Sequence, residues 1–146
     1  MTSSTEVLLV NDGHSDTNLI TEVLRGKYGL TRVHSVASGV EAMAFLHHEG
    51  KYASDSSPHL IVLDVNDVQA NGKMVLECVK SDPSLRQIPV IVFSESTAQS
   101  AIAESYRLGA NSYVTRPSDR DEFVSTVTAM REFWLGLTKY YPDGMR

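Results

Sequence analysis

The chain has a single cysteine among its 146 residues, so it can form no internal disulfide and supply no cysteine-rich zinc site. That scarcity fits a reducing compartment. No apolar stretch approaches the ~20 residues needed to cross a bilayer, and no basic n-region precedes the first apolar run, Val7-Leu8-Leu9-Val10. A cytoplasmic location is expected, with no membrane partner. The 13 Lys and Arg are outnumbered by 18 Asp and Glu, for a net charge of -5, and no basic run exceeds a pair. Electrostatic binding to a polyphosphate backbone is therefore not expected, and nucleic acid is set aside as a partner. No G-x-G-x-x-G occurs, and Gly72-Lys73-Met74 lacks both the glycine spacing and the Ser/Thr of a P-loop. There is no internal repeat and no low-complexity segment.

What the chain does have is a series of short, branched apolar runs, each ending on a polar residue. Leu60-Ile61-Val62-Leu63 ends on Asp64 and is followed by a polar loop closed by Gly72. Val7-Leu8-Leu9-Val10 leads into Asn11-Asp12, Val90-Ile91-Val92-Phe93 into Ser94, and Ser112-Tyr113-Val114-Thr115 into Arg116-Pro117. Runs of this length bounded by loop signals read as buried parallel strands. A further strand is expected around Arg32 to Val36, and between the strands lie helical patterns. Leu19, Ile20, Val23 and Leu24 recur at helical spacing ahead of Gly26 and Gly29, and Ser38-Gly39-Val40-Glu41 has the form of a capping box for a helix expected to stop at Gly50. Gly72 opens a third helix, ended by Asp82-Pro83, and its Val75 and Val79 flank Cys78 on what reads as a sheet-packed helix. A fourth, lightly anchored helix is predicted from about Thr97 to Leu108 with Gly109 as its cap, and a last one from Ser118-Asp119 carrying Phe123, Val127, Met130 and Trp134. Lys51 to Pro58 reads as an exposed loop. Five strands alternating with five helices make an α/β doubly wound parallel sheet, and residues 1–146 read as one domain with no room for a separate output module.

In such a sheet ligands gather beyond the carboxyl ends of the strands. Here those ends bring two carboxylates, Asp12 and Asp64, the Ser94 hydroxyl and the Arg116 cation to one crevice. Two carboxylates and a backbone carbonyl suffice for a Mg²⁺ that keeps several waters and takes its remaining oxygens from phosphate. Arg116 and Ser94 could hold the other oxygens of a phosphoryl group in transit, with Asp64 as the nucleophile that forms an acyl phosphate. Any one of these residues alone is an ordinary strand-end cap or solvated side chain; the set of four is not.

The order and spacing of Asn11-Asp12, Asp64, Ser94, Tyr113 and Arg116-Pro117 resemble the receiver domain of two-component response regulators over nearly the whole chain. Lys80-Ser81-Asp82-Pro83 with Ile88-Pro89-Val90-Ile91-Val92 resembles a subset of stand-alone receivers. The resemblance implies a flavodoxin-like sheet of strand order 2-1-3-4-5. It also implies phosphorylation of Asp64 by a kinase histidine, metal ligation by Asp12, Asp64 and the Asn66 carbonyl, a switch hydroxyl at Ser94, a switch aromatic at Tyr113 and a cis Pro117. Arg131-Glu132-Phe133-Trp134-Leu135 is similar to the tail of receivers paired with phytochrome-type histidine kinases, which makes such a kinase the expected partner.

Four departures stand against that pattern. Asn11 replaces a second acid, which removes a charge near the metal; Arg116 replaces lysine, a fork in place of a point charge. Glu95 follows Ser94 where a small residue is usual, and Val68 replaces a common loop proline. These changes either retune a working switch or mark a pseudo-receiver that acts as a phosphorylation-independent interaction module. Arg116 is expected to pair at rest with Asp64 or Glu95. Among other functions, an aspartyl phosphatase would want D-x-D-x-T after the first strand, and an FMN protein would want a Ser/Thr/Gly-rich loop where Asn11-Asp12-Gly13-His14-Ser15-Asp16 is acidic. The adjacent His47-His48 do not have metal-ligand spacing, and His14, although it follows Asp12-Gly13 next to the site, reads as an exposed loop residue. The last helix and tail, about residues 118–146, spread apolar area beyond one face. This predicts a symmetric homodimer, against the alternative that Trp134 folds back on its own domain.

Overall fold

A parallel sheet buried on both faces needs apolar side chains at every position, because successive residues alternate between its two sides. The apolar runs meet that need in the three central strands, while the two edge strands are partly exposed. In the computed structural model, which describes residues 5–13, 17–26, 30–66 and 71–145, the strands form one five-stranded sheet. Its strands are β1 (Thr5–Asn11), β2 (Thr31–Val36), β3 (Leu60–Asp64), β4 (Val90–Ser94) and β5 (Ser112–Thr115). The order is β2-β1-β3-β4-β5 and every pairing is parallel. Leu8, Val10, Ile61, Leu63, Val90 and Val92 pack on one side with α2 (Gly39–Leu46) and α3 (Lys73–Ser81). Val7, Leu9, Leu60, Val62, Ile91 and Phe93 pack on the other with α1 (Thr17–Arg25) and α5 (Arg120–Arg131).

Helix ends follow their local chemistry. Ser38 Oγ accepts from the Glu41 N–H at 3.1 Å, and the Glu41 carboxylate reaches back to accept from the Ala37 N–H at 3.1 Å, one residue beyond the usual return bond. Asp119 caps α5 by accepting from the Glu122 N–H at 3.0 Å. The second helix stops at Leu46 and not at Gly50, because His48 takes the left-handed position (φ 57°) that glycine usually fills; Gly50 instead opens a short 3-10 turn, Gly50–Tyr52. The loop predicted as merely exposed is thus partly folded, with Tyr52 edge-on to Phe45 at 5.3 Å. Cys78 points outward from α3, since Val75, Leu76 and Val79 take the buried stripe. The fourth helix, α4 (Gln99–Arg107), starts later than expected, and its one buried residue is Ser105, whose hydroxyl folds back onto the Ala101 carbonyl at 2.9 Å.

Beyond the exit of α3 the chain is knotted by a lysine. The Lys80 ammonium donates to the Ile88 carbonyl at 2.8 Å, the Arg86 carbonyl at 3.3 Å and Asn111 Oδ1 at 3.1 Å, and burial lowers its pKa. Asn111 Oδ1 also accepts from the Val90 N–H at 2.8 Å, so one amide joins the entries of β4 and β5 to α3. The stem of Lys80 lies against Gly109, where a Cβ would fall 2.6 Å from Cγ, and Gly109 has a φ of 108°. Both facts require glycine there. On the same loop the Ser84 N–H and then its hydroxyl bond Asp82, and with His47 they hold that carboxyl below its usual range.

After α5 the chain continues through a π-helical turn, Glu132–Leu137, and folds back on the domain. Trp134, Leu135 and Tyr140 pack on the α1/α5 side of the core. The Tyr140 hydroxyl donates to the Trp134 carbonyl, its ring lies 5.7 Å from that of His59, and His59 Nε2 meets Asp143 at 3.2 Å. Phe133 and Leu137 remain exposed. No helix among the described residues is long and apolar enough to cross a membrane.

The docked tail gives a titration signature. Burial pushes the Tyr140 phenol from its ordinary value of 10.0 up to about 12. The folded state thus prefers the neutral phenol, and the stability that this preference contributes is intact below pH 10 and lost as pH rises from 10 towards 12. In an absorbance titration at 295 nm, a phenol that ionises as late as about pH 12 should be present in the wild type and vanish in Tyr140→Phe. An unchanged titration curve in Tyr140→Phe at that pH would show that the tail is undocked in solution.

Candidate functional site

The register of the sheet assembles the site. Asn11 pairs with Asp64 across β1 and β3, Asp64 with Phe93 across β3 and β4, and Ser94 with Thr115 across β4 and β5. Four strand ends therefore stand side by side, and the shared register carries Asn11 and Asp64 to the same side of the sheet. Asp64 is fully buried and Arg116, just beyond β5, is 3% exposed. The Arg116 N–H donates to the Ser94 carbonyl at 2.7 Å, which extends the β4/β5 pairing by one step and aims the guanidinium back into the crevice.

An ionised carboxylate this deeply buried requires compensation from its neighbours. Arg116 Nε lies 3.4 Å from Asp64 Oδ1, and Asn11 Nδ2 donates to Asp64 Oδ2 at 2.7 Å. Arg116 Nη1 reaches the exposed Glu95 carboxylate at 4.0 Å and its guanidinium sits over the Phe93 ring at 6.0 Å. The expected pairing of Arg116 with Asp64 or Glu95 is thus both at once, with Asp64 nearer. The Gly13 N–H donates to Asn11 Oδ1 at 2.8 Å, and Asp12 Oδ2 accepts from the Asn66 N–H at 3.2 Å, which draws the loop after β3 against the loop after β1.

Two further contacts link this crevice to its surroundings. Ser94 Oγ accepts from the Ser96 N–H at 3.3 Å, and the Tyr113 hydroxyl donates to the Ser96 carbonyl at 2.7 Å. The segment after Ser94 is thereby held between the hydroxyl and the aromatic that the sequence singles out. On the far side Asn71 Oδ1 accepts from the Gly39 N–H at 2.8 Å and ties the loop after β3 to the start of α2. That link and the Asn11–Asp64 bond went unread in the sequence, where an asparagine carries no mark of which way its amide points. The described structure has no cis peptide bond, so Arg116–Pro117 is trans, contrary to expectation. Trans is the lower-energy form of an X-Pro bond by about 0.5–1 kcal/mol, and the Arg116 guanidinium reaches Asp64 without the cis bend. His47 lies 3.6 Å from Asp82, and His48 Nε2 is 3.3 Å from the Ser57 hydroxyl, both away from the crevice. His14 and Val68 lie outside the described residues.

The donors at the crevice are of the kind a hard divalent cation takes. Asp12, Asp64 and the Asn66 carbonyl are oxygen donors of the kind Mg²⁺ takes when water and phosphate complete its shell. Among the described residues no group of three or more His, Cys, Asp or Glu side chains is placed to hold a metal, and position 11 offers an amide in place of a carboxylate. Beside the crevice a cavity of about 270 Å³ is lined by Leu19, Glu95, Arg116, Pro117, Arg120 and Phe123.

The comparisons with known proteins agree with this geometry. The chain is 34% identical to the response regulator Rcp1 of Synechocystis over 129 residues, covering 88% of each protein. The crystal structure of the phosphorylated cyanobacterial phytochrome response regulator RcpA superposes with a TM-score of 0.88 at 38% identity, over 96% of this chain and all of that one. The Mn²⁺-bound form of Rcp1 superposes with a TM-score of 0.85 at 32% identity, over 94% of this chain and 99% of that one. The profile of the response regulator receiver domain matches residues 7–128. With the strand order 2-1-3-4-5 and the acidic crevice in place, the chain belongs to the response regulator receiver family of two-component signalling.

Proposed function

We propose that the protein is a phospho-acceptor in which Asp64 takes a phosphoryl group from a histidine kinase, with Mg²⁺, and that it signals by changing its binding surface. The observation that carries this reading is the placement of Asp64: a buried carboxylate at a central strand end, faced by Arg116 and flanked by Asp12 and Ser94. In the transfer a carboxylate oxygen of Asp64 attacks phosphorus, the N–P bond of the phosphohistidine breaks and its electron pair returns to the imidazole. Bound at Asp12, Asp64 and Asn66, Mg²⁺ would supply charge neutralisation to the phosphoryl oxygens. Arg116 then moves its fork from Asp64 to those oxygens, Ser94 follows, and Tyr113 leaves the Ser96 carbonyl for the space the hydroxyl vacates. The protein takes part in its own modification and is not a turnover enzyme.

The partner this reading favours is a phytochrome-type histidine kinase, on the strength of the similarity to RcpA and Rcp1 along the full receiver fold. A cytoplasmic setting follows from the need for a kinase donor. Residues 1–146 act as one receiver unit, and the last helix and tail, about 118–146, offer the interaction surface. Trp134 does fold back on its own core, yet Phe133 and Leu137 stay exposed on the same segment, and a symmetric homodimer would cover them. The pseudo-receiver alternative has less support, since the sequence keeps Asp12, Asp64, Ser94 and Tyr113.

Incubation with a small phosphodonor and Mg²⁺ should add the mass of one phosphoryl group, labile to hydroxylamine and absent in Asp64→Asn. No gain with any donor or kinase would leave the phosphorylation-independent module standing. Glu95→Ala should speed phosphorylation roughly fivefold, since a unit charge a few ångströms away at a wet surface is worth about 1 kcal/mol. An unchanged rate would exclude Glu95 as a competing anion. Arg116→Ala should still accept phosphoryl but lose the surface change, seen as an absent shift in the amide spectrum of the α4, β5 and α5 face. Removing one partner of a buried pair costs about 3–5 kcal/mol, so Arg116→Lys is the folded control that keeps the charge. Sedimentation at high concentration should show a dimer that Leu137→Glu dissociates; a monomer with and without a phosphoryl mimic would rule the homodimer out.

A further inference from the structure

The asparagine at the end of β1 does more than lack a charge. Its carboxamide is oriented by two bonds that agree: Oδ1 accepts from the Gly13 N–H at 2.8 Å, and Nδ2 donates to Asp64 Oδ2 at 2.7 Å. Turning the amide over would set an NH₂ against an N–H and an oxygen against a carboxylate, so the orientation is enforced at both ends. The residue is 3% exposed. On the other oxygen of the same carboxylate stands Arg116, 3.4 Å from Oδ1. Each oxygen of Asp64 thus meets a positively polarised nitrogen of its own chain, one a full charge and the other a dipole.

We infer that Asn11 is a positioning residue that stands in for a cation at rest: it holds Asp64 aligned in the metal-free protein and competes with divalent metal for Asp64 Oδ2. The inference deepens the reading of Asp64 as the phospho-acceptor and rests on it. A carboxylate at position 11 would do the reverse, adding charge for a metal while repelling Asp64 in its absence. With the amide there, a cation that approaches Oδ2 meets the NH₂ group and must displace a charge-assisted hydrogen bond. The resting site consequently keeps its geometry without metal, and its metal affinity is set by what the amide gives up.

Wild type, Asn11→Ala and Asn11→Asp distinguish the hydrogen bond from the charge. Mn²⁺ binding is followed by the electron paramagnetic resonance signal of the free ion, and unfolding temperature is measured in EDTA and in millimolar Mn²⁺. Wild type should bind weakly and unfold at nearly the same temperature in both buffers. Asn11→Ala removes the donor and adds no charge, so it should unfold roughly 5 °C lower in EDTA, from the loss of one charge-assisted bond, and bind Mn²⁺ more tightly than wild type. Asn11→Asp should gain about tenfold or more in Mn²⁺ affinity from the added ligand charge, and its low stability in EDTA should recover with the ion. Asn11→Ala with wild-type affinity for Mn²⁺, or with the wild-type unfolding temperature in EDTA, overturns the inference, as does wild type that binds Mn²⁺ as tightly as Asn11→Asp. Neither measurement involves a phosphoryl donor, so failure here is distinct from failure of Asp64 to gain phosphoryl mass.

Discussion

A carboxylate without access to water must be compensated by the chain around it, and the site here is organised by that constraint. Asp64 is carried out of solvent by the strand that ends on it, since a central strand of a doubly covered sheet has no wet face. The loss of hydration is offset by a guanidinium that crosses from β5 and an amide that crosses from β1. Each compensating group is in turn held by backbone: Arg116 by its bond to the Ser94 carbonyl and Asn11 by the Gly13 N–H. The ends of four strands are therefore coupled through one anion, and whatever changes the charge on Asp64 is felt by all of them.

Guanidinium and ammonium would not serve this arrangement equally. The planar fork of Arg116 meets Asp64 with Nε while Nη1 reaches toward Glu95 at the rim, a division of contacts that a point charge cannot reproduce. Glu95 is solvated, so its hold on Arg116 is weak compared with that of the buried Asp64. The unusual lysine-to-arginine and small-to-acid departures thus form one connected unit, a cation shared between a buried and an exposed carboxylate.

The sequence made the strand ends legible because chain direction alone decides them: in a parallel sheet every strand delivers its last residue to the same edge, so Asp12, Asp64, Ser94 and Arg116 could be grouped without coordinates. Helix limits were readable where a specific hydrogen bond sets them, as at Ser38 and Asp119, and misread at Leu46, where a histidine adopts the conformation that a glycine was expected to supply. The knot at Lys80 was hidden for a different reason. Its acceptors, at Arg86, Ile88 and Asn111, come from segments whose proximity is a product of the fold, and a lone lysine near a helix end is ordinarily a solvated side chain. The tight Gly109 was read as a cap, while the second demand on it, room for the Lys80 stem, depends on tertiary packing. The orientation of the Asn11 amide belongs to the same class.

That knot sets the mechanics of the fourth helix. α4 offers little apolar area to the core, with Ser105 its one buried residue, so its position depends on its ends. At the end after Arg107 the chain is clamped: the Ala110 N–H returns to the Ser105 carbonyl, the Asn111 N–H to the Val90 carbonyl, and Gly109 is wedged against Lys80. At the other end the hold is thinner, a Ser96 N–H on the Ser94 hydroxyl and a Tyr113 hydroxyl on the Ser96 carbonyl. Both bonds at that end run through Ser96, its N–H to the Ser94 hydroxyl and its carbonyl to the Tyr113 phenol, so the start of the helix is tied to the strand end and to the aromatic by the backbone of one residue.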